Sequence, residues 1–412
     1  MDVRSESDRL HARVRAFMRA SQGGDSREGF DDLALSIARF QAARVPALGR
    51  LVAARGVDLY AARRAGDVPA VPSDVFRMTR VAAHAPLEDA RLFRTSGTSL
   101  GASARGEHPF RTLATYELGA LLWGRRMLWP DRGKLRAIVL APPTSEVADS
   151  SLGFMMDLFA GSLGGPASFA VRGGALDAAV VERACEGARS SGDPAIVLGA
   201  SFAFVHLLES SDDFRFELPL GSRAMQTGGF KGRSREVDPP VLRRMIASAL
   251  AISEAHVVSE YGMTELSSQA YEGTLAASLG ALPHGWAKDA RPGVYFAPPW
   301  MRVTAVDPAS LLPVAPGEVG IARIEDLANI DSALAVQTSD LVRAVGDGFE
   351  LLGRAPGALP RGCSIAIDEM LEARGASEAS EALEASEASA TSEAPETLES
   401  SETPGPSGTF EA

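Results

Sequence analysis

Three short apolar runs constrain this chain more than any other feature: LRAIVLAPP at 135–143, PAIVLGASF at 194–202 and AHVVSEYG at 255–262. Each has the length of a strand, is apolar along most of its length, and ends in a loop. A strand that is apolar on both faces must be covered on both, and the intervening stretches read as helices. That combination predicts a parallel sheet with helices packed on it. From about residue 293 the texture changes. WMRVTAVD, EVGIARIEDL, LAVQTSDLVRAV and GFELLGR are short strands separated by turns, which predicts a small antiparallel subdomain. Ahead of the sheet, residues 1–65 have a helical period. Leu10, Val14, Phe17 and Met18 share one face, and Phe30, Leu33, Ile37 and Phe40 another.

Length and charge narrow the function classes. With 412 residues, 45% of them hydrophobic, the chain can bury a sizeable core. Its net charge is −12, but residues 371–412 hold ten Glu and one Arg, a net −9, which leaves about −3 for the body. That balance argues against a nucleic-acid binder. The segment 371–412 is rich in Ser, Glu and Ala and nearly free of large apolar residues, so it is expected to be disordered. Cys185 and Cys363 lie far apart and form no disulfide framework, which suits a reducing cytoplasm. The N-terminus lacks the apolar stretch of a signal peptide, and no run approaches 18 uncharged apolar residues, so neither secretion nor a membrane span is expected. Only three lysines occur, Lys134, Lys231 and Lys288, so any mechanism needing a lysine has three candidates.

Three stretches carry chemistry. FRTSGTSLGASARGEH at 93–108 is dense in Thr, Ser and Gly. Glycines let the backbone approach closely, so its N–H groups and the hydroxyls of Thr95, Ser96, Thr98 and Ser99 can surround an anion. VVSEYGMTELSS at 257–268 follows a buried-strand pattern, so its polar residues fall at a strand's C-terminal end, where α/β proteins bind ligands. There Thr264 can bond a phosphate oxygen, and Glu265 can hold Mg²⁺ through carboxylate oxygen. QTSDLVRAVGDGFELLGR at 337–354 places Asp340 to accept hydrogen bonds from a ribose diol and Arg354 to face a nucleotide. Each stretch alone has a plainer reading: a surface turn, a helix start capped by Thr, and a hairpin with a GDG turn.

Taken together, in this order, TSGTSLG, YGMTEL and TSDL…LLGR resemble the ATP-binding motifs of the adenylate-forming superfamily of acyl- and aryl-CoA ligases and luciferases. QTGGFKGRSREV at 226–237 and GRAPGALPRGCSIAID at 353–368 carry a closer resemblance to the acyl-protein synthetase family of the bacterial luminescence fatty-acid reductase complex and its non-luminous relatives. The resemblance spans roughly residues 5–370. It implies an α/β fold like the N-terminal domain of adenylate-forming enzymes, with mostly parallel sheets covered by helices and a small antiparallel subdomain. It divides the chain into a helical region (1–90), an adenylate-forming core (91–353), a hinge-like stub (354–370) and the acidic tail (371–412). It implies ATP and Mg²⁺ as cofactors. Nucleotide binding falls to Thr95, Ser96, Gly97, Thr98, Ser99, Gly101, Gly228, Gly229, Tyr261, Gly262 and Asp340, with the metal on Glu265. Catalysis falls to Thr264, Lys231, Arg354 and Cys363. The substrate would be a carboxylic acid, a long-chain fatty acid in the closer family. The partner would be an acyl reductase or another acyl-acceptor protein.

Two departures matter. The glycine loop of the superfamily often ends in Pro-Lys-Gly, whereas this chain has ASARG, which makes Arg105, Arg354 and Lys231 candidates for the missing charge. Larger members carry a mobile C-terminal domain with a catalytic lysine. Here sixteen residues separate Arg354 from the acidic tail and no lysine follows Lys288, so that domain is expected to be absent or reduced to the stub. In the closer family a cysteine near the C-terminus accepts the acyl group, and Cys363 occupies that place. Arg361, two residues earlier, would lower its pKa. The plainer reading is a small buried hydrophobe, which is also the reading for Cys185.

Competing readings remain. A CoA ligase of the same fold would differ only in its acceptor. LGASFA at 198–203 resembles the nucleophile elbow of serine hydrolases, which would make Ser201 a nucleophile. A non-catalytic scaffold would fail to bind ATP and Mg²⁺.

Overall fold

The structure is a computed structural model that describes residues 3–23, 28–95, 105–210, 214–228 and 237–356. A twelve-stranded sheet runs through it. Its first part is parallel, in the order Gly164–Phe169, Leu135–Leu140, Ala195–Ala200, Arg223–Thr227, Val257–Tyr261. From Val257–Tyr261 the sheet continues antiparallel through Ala270–Glu272, Val294–Phe296, Gly348–Arg354, Ala335–Val345, Val319–Asp326 and Met301–Val306. The short strand Val71–Pro72 adds in parallel to Ala335–Val345.

The three apolar runs thus become parallel strands. Ala195–Ala200, Arg223–Thr227 and Val257–Tyr261 are buried at every residue. The antiparallel strands also form where the sequence predicts them, but they continue the same sheet instead of folding apart from it. The cause is the short strand Ala270–Glu272, which pairs with Val257–Tyr261 through Glu260↔Tyr271 and carries the ladder across. Helix Ser151–Ser162 packs on the sheet and against helix Ala114–Leu128, whose Trp123 Nε1 donates to Phe296 O of the sheet at 3.2 Å. Their approach depends on Gly124, where an added Cβ would lie 2.6 Å from Phe159 Cζ. Among the described residues, no helix is long and apolar enough to cross a membrane.

The N-terminal residues form helices Val3–Ala20, Phe30–Arg44 and Pro46–Ala54, with Pro46 in the first turn of the third. Leu10, Val14 and Met18 are buried, as are Phe30, Leu33, Ile37 and Phe40. These helices are also held by buried polar groups. His11 Nε2 lies 2.9 Å from Asp331 Oδ2, and its Nδ1 lies 2.8 Å from Thr115 Oγ1. Ser7 donates to the other Asp331 oxygen, and the Arg111 guanidinium lies 3.5 Å from this carboxylate. Gln41 Nε2 donates to the carbonyls of Asn329 (2.6 Å) and Ile330 (3.0 Å), while its Oε1 accepts from Leu334 N at 2.9 Å.

Burial by itself would raise the Asp331 pKa. The bonds from His11 and Ser7 and the charge of Arg111 outweigh that and hold the carboxyl below its ordinary value. Replacing it strands buried donors. Asp331→Ala is therefore expected to lower the unfolding free energy at neutral pH by about 3–5 kcal/mol, measured by urea denaturation. A loss within the scatter of surface substitutions would mean that this carboxylate does not anchor the first helix.

Candidate functional site

Parallel strands place their C-terminal ends along one edge of a sheet, and α/β proteins bind ligands there. At this edge Ala200 leads into Ser201, Thr227 into Gly228, and Tyr261 into Gly262, Met263, Thr264 and Glu265. Val257–Tyr261 has a parallel neighbour on one side and an antiparallel one on the other. Gly262 lies close to the Glu260 carboxyl: a Cβ there would stand 2.4 Å from Glu260 Oε1, so a larger residue would displace that side chain.

Three residues singled out in the sequence meet beside this strand. Tyr261 donates its hydroxyl to Asp340 Oδ2 at 2.9 Å, and Asp340 Oδ1 lies 3.2 Å from Arg354 Nε. Asp340 and Arg354 are register partners across a hairpin, and a bulge between Asp340 and Val342 re-aims the strand. Burial, and then the charge of Asp340, push the Tyr261 phenol well above its ordinary pKa. It stays a neutral donor to the Asp340 carboxylate.

Thr264 and Glu265 are both buried. They are the central residues of a turn closed by Leu266 N donating to Met263 O at 3.0 Å. His108 Nδ1 lies 2.7 Å from the Thr264 carbonyl, and Asn329 Nδ2 donates to the Glu265 carbonyl at 2.9 Å. Ser267 N and Ser268 Oγ donate to Asp326 at 2.9 and 2.7 Å. Burial pushes the Glu265 carboxyl up to about 7. Asp340 adds to the rise, and Arg354 and Arg77 oppose it. Hard carboxylate oxygens in a setting that penalises their negative charge suit a small divalent cation. Among the described residues, no group of three or more His, Cys, Asp or Glu could hold a metal by itself.

Thr95 and Gly106 close the stem of the glycine loop. Thr95 N donates to Gly106 O at 2.8 Å, and Gly106 N donates to Thr95 Oγ1 at 2.7 Å. Arg105 is engaged here, with Nε donating to Thr95 O at 2.6 Å and Nη1 to Asp149 Oδ2 at 2.9 Å. Its charge is thus shared with Asp149, and it braces the stem. Ser96, Gly97, Thr98, Ser99 and Gly101 lie outside the described residues, as do Gly229, Lys231 and Cys363. Gly228, with φ +85°, follows Thr227 at the sheet edge.

The other lysines are placed away from this edge. Lys134 precedes the first residue of Leu135–Leu140, at the opposite end of the sheet, and lies 3.7 Å from Asp193. Lys288 sits in the short helix Trp286–Asp289. That helix abuts the hairpin turn at Gly346, where an added Cβ would meet Asp289 Oδ2. The strand Gly348–Arg354 separates this turn from Arg354, by roughly 20 Å at the usual rise per residue. Cys185 is buried, and burial, with Glu182 and Glu186, pushes its thiol up to about 12, which suits a structural residue. The Ser201 hydroxyl faces Gln226 Oε1 and the carbonyls of Thr227 (3.1 Å) and Gly228 (2.9 Å). That set of acceptors includes no imidazole, so it does not form a hydrolase triad.

Several residues of this edge were not singled out by sequence reasoning. Glu260 is buried, receives a hydrogen bond from Thr227 Oγ1, and has a carboxyl pushed up to about 7 by burial. Asp326 lies near the end of the predicted strand EVGIARIEDL and Asn329 two residues past it, and neither carries a local signal of its role.

No protein-family model matches the sequence, and no curated protein matches it. Solved structures match in fold. A 2-hydroxyisobutyryl-CoA ligase in an open conformation, in complex with 2-HIB-AMP and CoA, superposes with a TM-score of 0.55 at 14% identity, over 80% of this chain and 76% of that one. The same ligase in its thioesterification state gives 0.54 at 16% identity, over 86% and 69%. The chain spans 48% of another match, an ATP-bound MatB from Rhodopseudomonas palustris, at 14% identity, 65% coverage of this chain and a TM-score of 0.45. The chain has the fold of the adenylate-forming ligases.

Glu260 offers a direct test of the edge's electrostatics. Its folded pKa of about 7 exceeds its ordinary 4.5, so folding binds its proton more tightly. Stability is therefore lost as pH rises from about 4.5 through 7. A glutamine keeps the acceptor for Thr227 and never ionises. Glu260→Gln is expected to be more stable than the parent at pH 8, on the order of 1–3 kcal/mol, with the advantage shrinking towards pH 5. Thermal melts across that range would disprove the assignment if the difference were flat.

Proposed function

We propose that this protein activates a carboxylic acid with ATP, forming an acyl adenylate and pyrophosphate, and then takes the acyl group onto the thiol of Cys363. The observation that carries the reading is the meeting of Tyr261, Asp340 and Arg354 with the Thr264–Glu265 turn at the end of Val257–Tyr261. The fold shared with a ligase solved with an acyl adenylate and CoA supports it.

The chemistry joins two anions. A carboxylate oxygen attacks the α-phosphorus, and the bond from that phosphorus to the pyrophosphate oxygen breaks. The site must hold both partners in line and oppose their repulsion. Asp340, oriented by Tyr261 and Arg354, accepts from the ribose hydroxyls. Thr264 donates to a phosphate oxygen. Arg354 supplies positive charge near the α-phosphate. The loop of Thr95, Ser96, Gly97, Thr98, Ser99 and Gly101 surrounds the β- and γ-phosphates with N–H and hydroxyl donors. Mg²⁺, held by Glu265, supplies charge neutralisation for the leaving pyrophosphate. Lys231, in the run Gly228-Gly229-Phe230-Lys231-Gly232, is assigned the remaining positive charge, since Lys134 and Lys288 lie away from the edge. In the second half-reaction the Cys363 sulfur attacks the acyl carbon and AMP leaves with the bonding electron pair. The acid is taken to be a long-chain fatty acid and the recipient an acyl reductase or another acyl-acceptor protein, in the cytoplasm. In this reading the stub over 354–370 carries the acceptor thiol; residues 357–412, which include the rest of the stub and the acidic tail, lie outside the described residues.

Two experiments test the halves separately. Acid-dependent exchange of labelled pyrophosphate into ATP is expected for the parent. Glu265→Gln should lower it by at least about tenfold, and Lys231→Ala should impair it more than Lys134→Ala does. Exchange at the parental rate in Glu265→Gln would remove that carboxylate from the reaction. For the second half, incubation with ATP, Mg²⁺ and a labelled long-chain acid should leave a hydroxylamine-sensitive label on the protein. Cys363→Ser should still exchange pyrophosphate yet carry almost no label. A label that persists on Cys185, or transfer to free CoA at full rate in Cys363→Ser, would replace this reading by that of a CoA ligase.

A further inference from the structure

We infer that His108 and Asn329 are positioning residues that aim the Glu265 carboxyl by holding the two peptide units on either side of it. The inference rests on the proposed role of Glu265 towards Mg·ATP.

The turn hydrogen bond from Leu266 N to Met263 O leaves the carbonyls of the two central residues, Thr264 and Glu265, outside it. Buried carbonyls outside a ladder need donors. His108 Nδ1 meets the Thr264 carbonyl at 2.7 Å, and Asn329 Nδ2 donates to the Glu265 carbonyl at 2.9 Å. These two carbonyls belong to the peptide planes that flank the Glu265 Cα. A peptide unit is planar, so fixing both planes fixes the backbone dihedrals between them and the direction of the Cα–Cβ bond.

Both donors are themselves held. A carbonyl only accepts, so the His108 proton sits on Nδ1. The ring packs against Phe110 at 4.3 Å and Phe76 at 5.7 Å between centroids. His108 stands on Glu107–Phe110, two residues past Gly106, so its bond also ties the stem of the glycine loop to the Glu265 turn. Asn329 is oriented by Ser267 Oγ, which donates to its Oδ1 at 2.6 Å, and its Nδ2 also donates to Ala333 O at 3.0 Å. Gln41 Nε2 takes the Asn329 carbonyl from the second helix. Two side chains far apart in sequence, at separations of 156 and 64 residues from the turn, thus converge on consecutive carbonyls. Holding a chain merely folded needs no such convergence on the residues either side of one carboxylate.

The test reads nucleotide binding. ATP affinity is measured by calorimetry with Mg²⁺ and again with EDTA, for the parent, His108→Leu, His108→Asn and Glu265→Gln. The gain in affinity that Mg²⁺ confers should fall about tenfold in His108→Leu, within the range typical of residues that orient a metal ligand, while metal-free ATP affinity stays within about twofold of the parent. His108→Asn, which keeps a donor near the Nδ1 position, should recover most of the gain. Combining His108→Leu with Glu265→Gln should lose no more than Glu265→Gln alone, because both act on one contact. An unchanged Mg²⁺ gain in His108→Leu, an equal loss with and without metal, or additive losses in the double variant would each overturn the inference. If His108→Leu does not fold, Asn329→Asp, isosteric but without the donor, is read by the same titrations with the same expected loss. A parent that binds ATP in neither condition would end the nucleotide reading and this inference together, whereas a parent with a Mg²⁺ gain that the variants share would end this inference alone.

Discussion

The buried turn from Asp326 to Asp331 is the constraint around which the candidate site is built. Asp326, Asn329 and Asp331 expose 0%, 1% and 7% of their surface. A buried polar group without a partner costs about 1–3 kcal/mol, and a charged one more, so this turn persists only where every group finds one. The partners come from segments far apart in sequence. Asp326 accepts from Ser267 N, Ser268 Oγ and Ala328 N. Asn329 engages Ser267, Glu265 and Gln41, and Asp331 engages Ser7 and His11. Even so, burial pushes the Asp326 carboxyl up to about 6. One polar knot therefore joins the N-terminal helices, the antiparallel strands and the turn that carries Glu265. The helices over residues 3–54 brace the candidate site from behind, although no side chain of theirs is assigned to it.

That arrangement separates two demands on the same sheet edge. Stability favours neutral, satisfied groups, whereas an edge that handles a polyanion favours ionisable ones. Glu260 and Glu265 are both held near neutrality by burial, at a cost to stability when they ionise. Arg354 and Arg77 offset part of that cost for Glu265. Sites of ligand chemistry commonly carry this kind of local conflict while the surrounding structure supplies compensation. Here the compensation is visible in the fully bonded turn beneath.

How much of this was legible in the sequence follows from what each part depends on. The apolar strands and the helical faces of Leu10, Val14 and Met18 were legible, because burial imposes a local period. Tyr261, Asp340 and Arg354 were legible as motifs, because each sits at a strand end or hairpin strand marked by turn residues. The strand Arg223–Thr227 was not. It reads RAMQT, and its polar residues are buried only because distant partners meet them. Arg223 pairs with Asp131 at 2.7 Å, Gln226 donates to Ser259 at 2.7 Å, and Thr227 meets Glu260. No local pattern encodes a partner 92 residues away. The Arg105 ion pair was hidden for the same reason, since Asp149, 44 residues on, is what the fold brings against it. The continuity of the sheet was hidden too, since strand alternation says which faces are buried and nothing about which edge a strand joins.

That continuity decides how firmly the site is held. Had the antiparallel strands folded as a separate unit, Asp340 and Arg354 would face Tyr261 across an interface between units, and such interfaces shift by default. Instead a single hydrogen-bonded ladder runs from Val257–Tyr261 through Ala270–Glu272 and Val294–Phe296 to Gly348–Arg354 and Ala335–Val345. Phe349 and Tyr295, adjacent on that ladder, pack their rings against Tyr261. The strands that carry Tyr261, Asp340 and Arg354 therefore cannot part by a hinge without breaking strand pairs. Of the described elements proposed to act on the nucleotide, this trio is fixed by the sheet itself. Glu265 hangs on a turn secured by side chains, and the stem of the glycine loop is closed by the bonds between Thr95 and Gly106. The order of attachment thus passes from strand pairing, for the groups assigned to the ribose, to side-chain hydrogen bonds, for the group assigned to the metal. It parallels the course of the proposed reaction, in which the nucleoside end must stay while the pyrophosphate leaves.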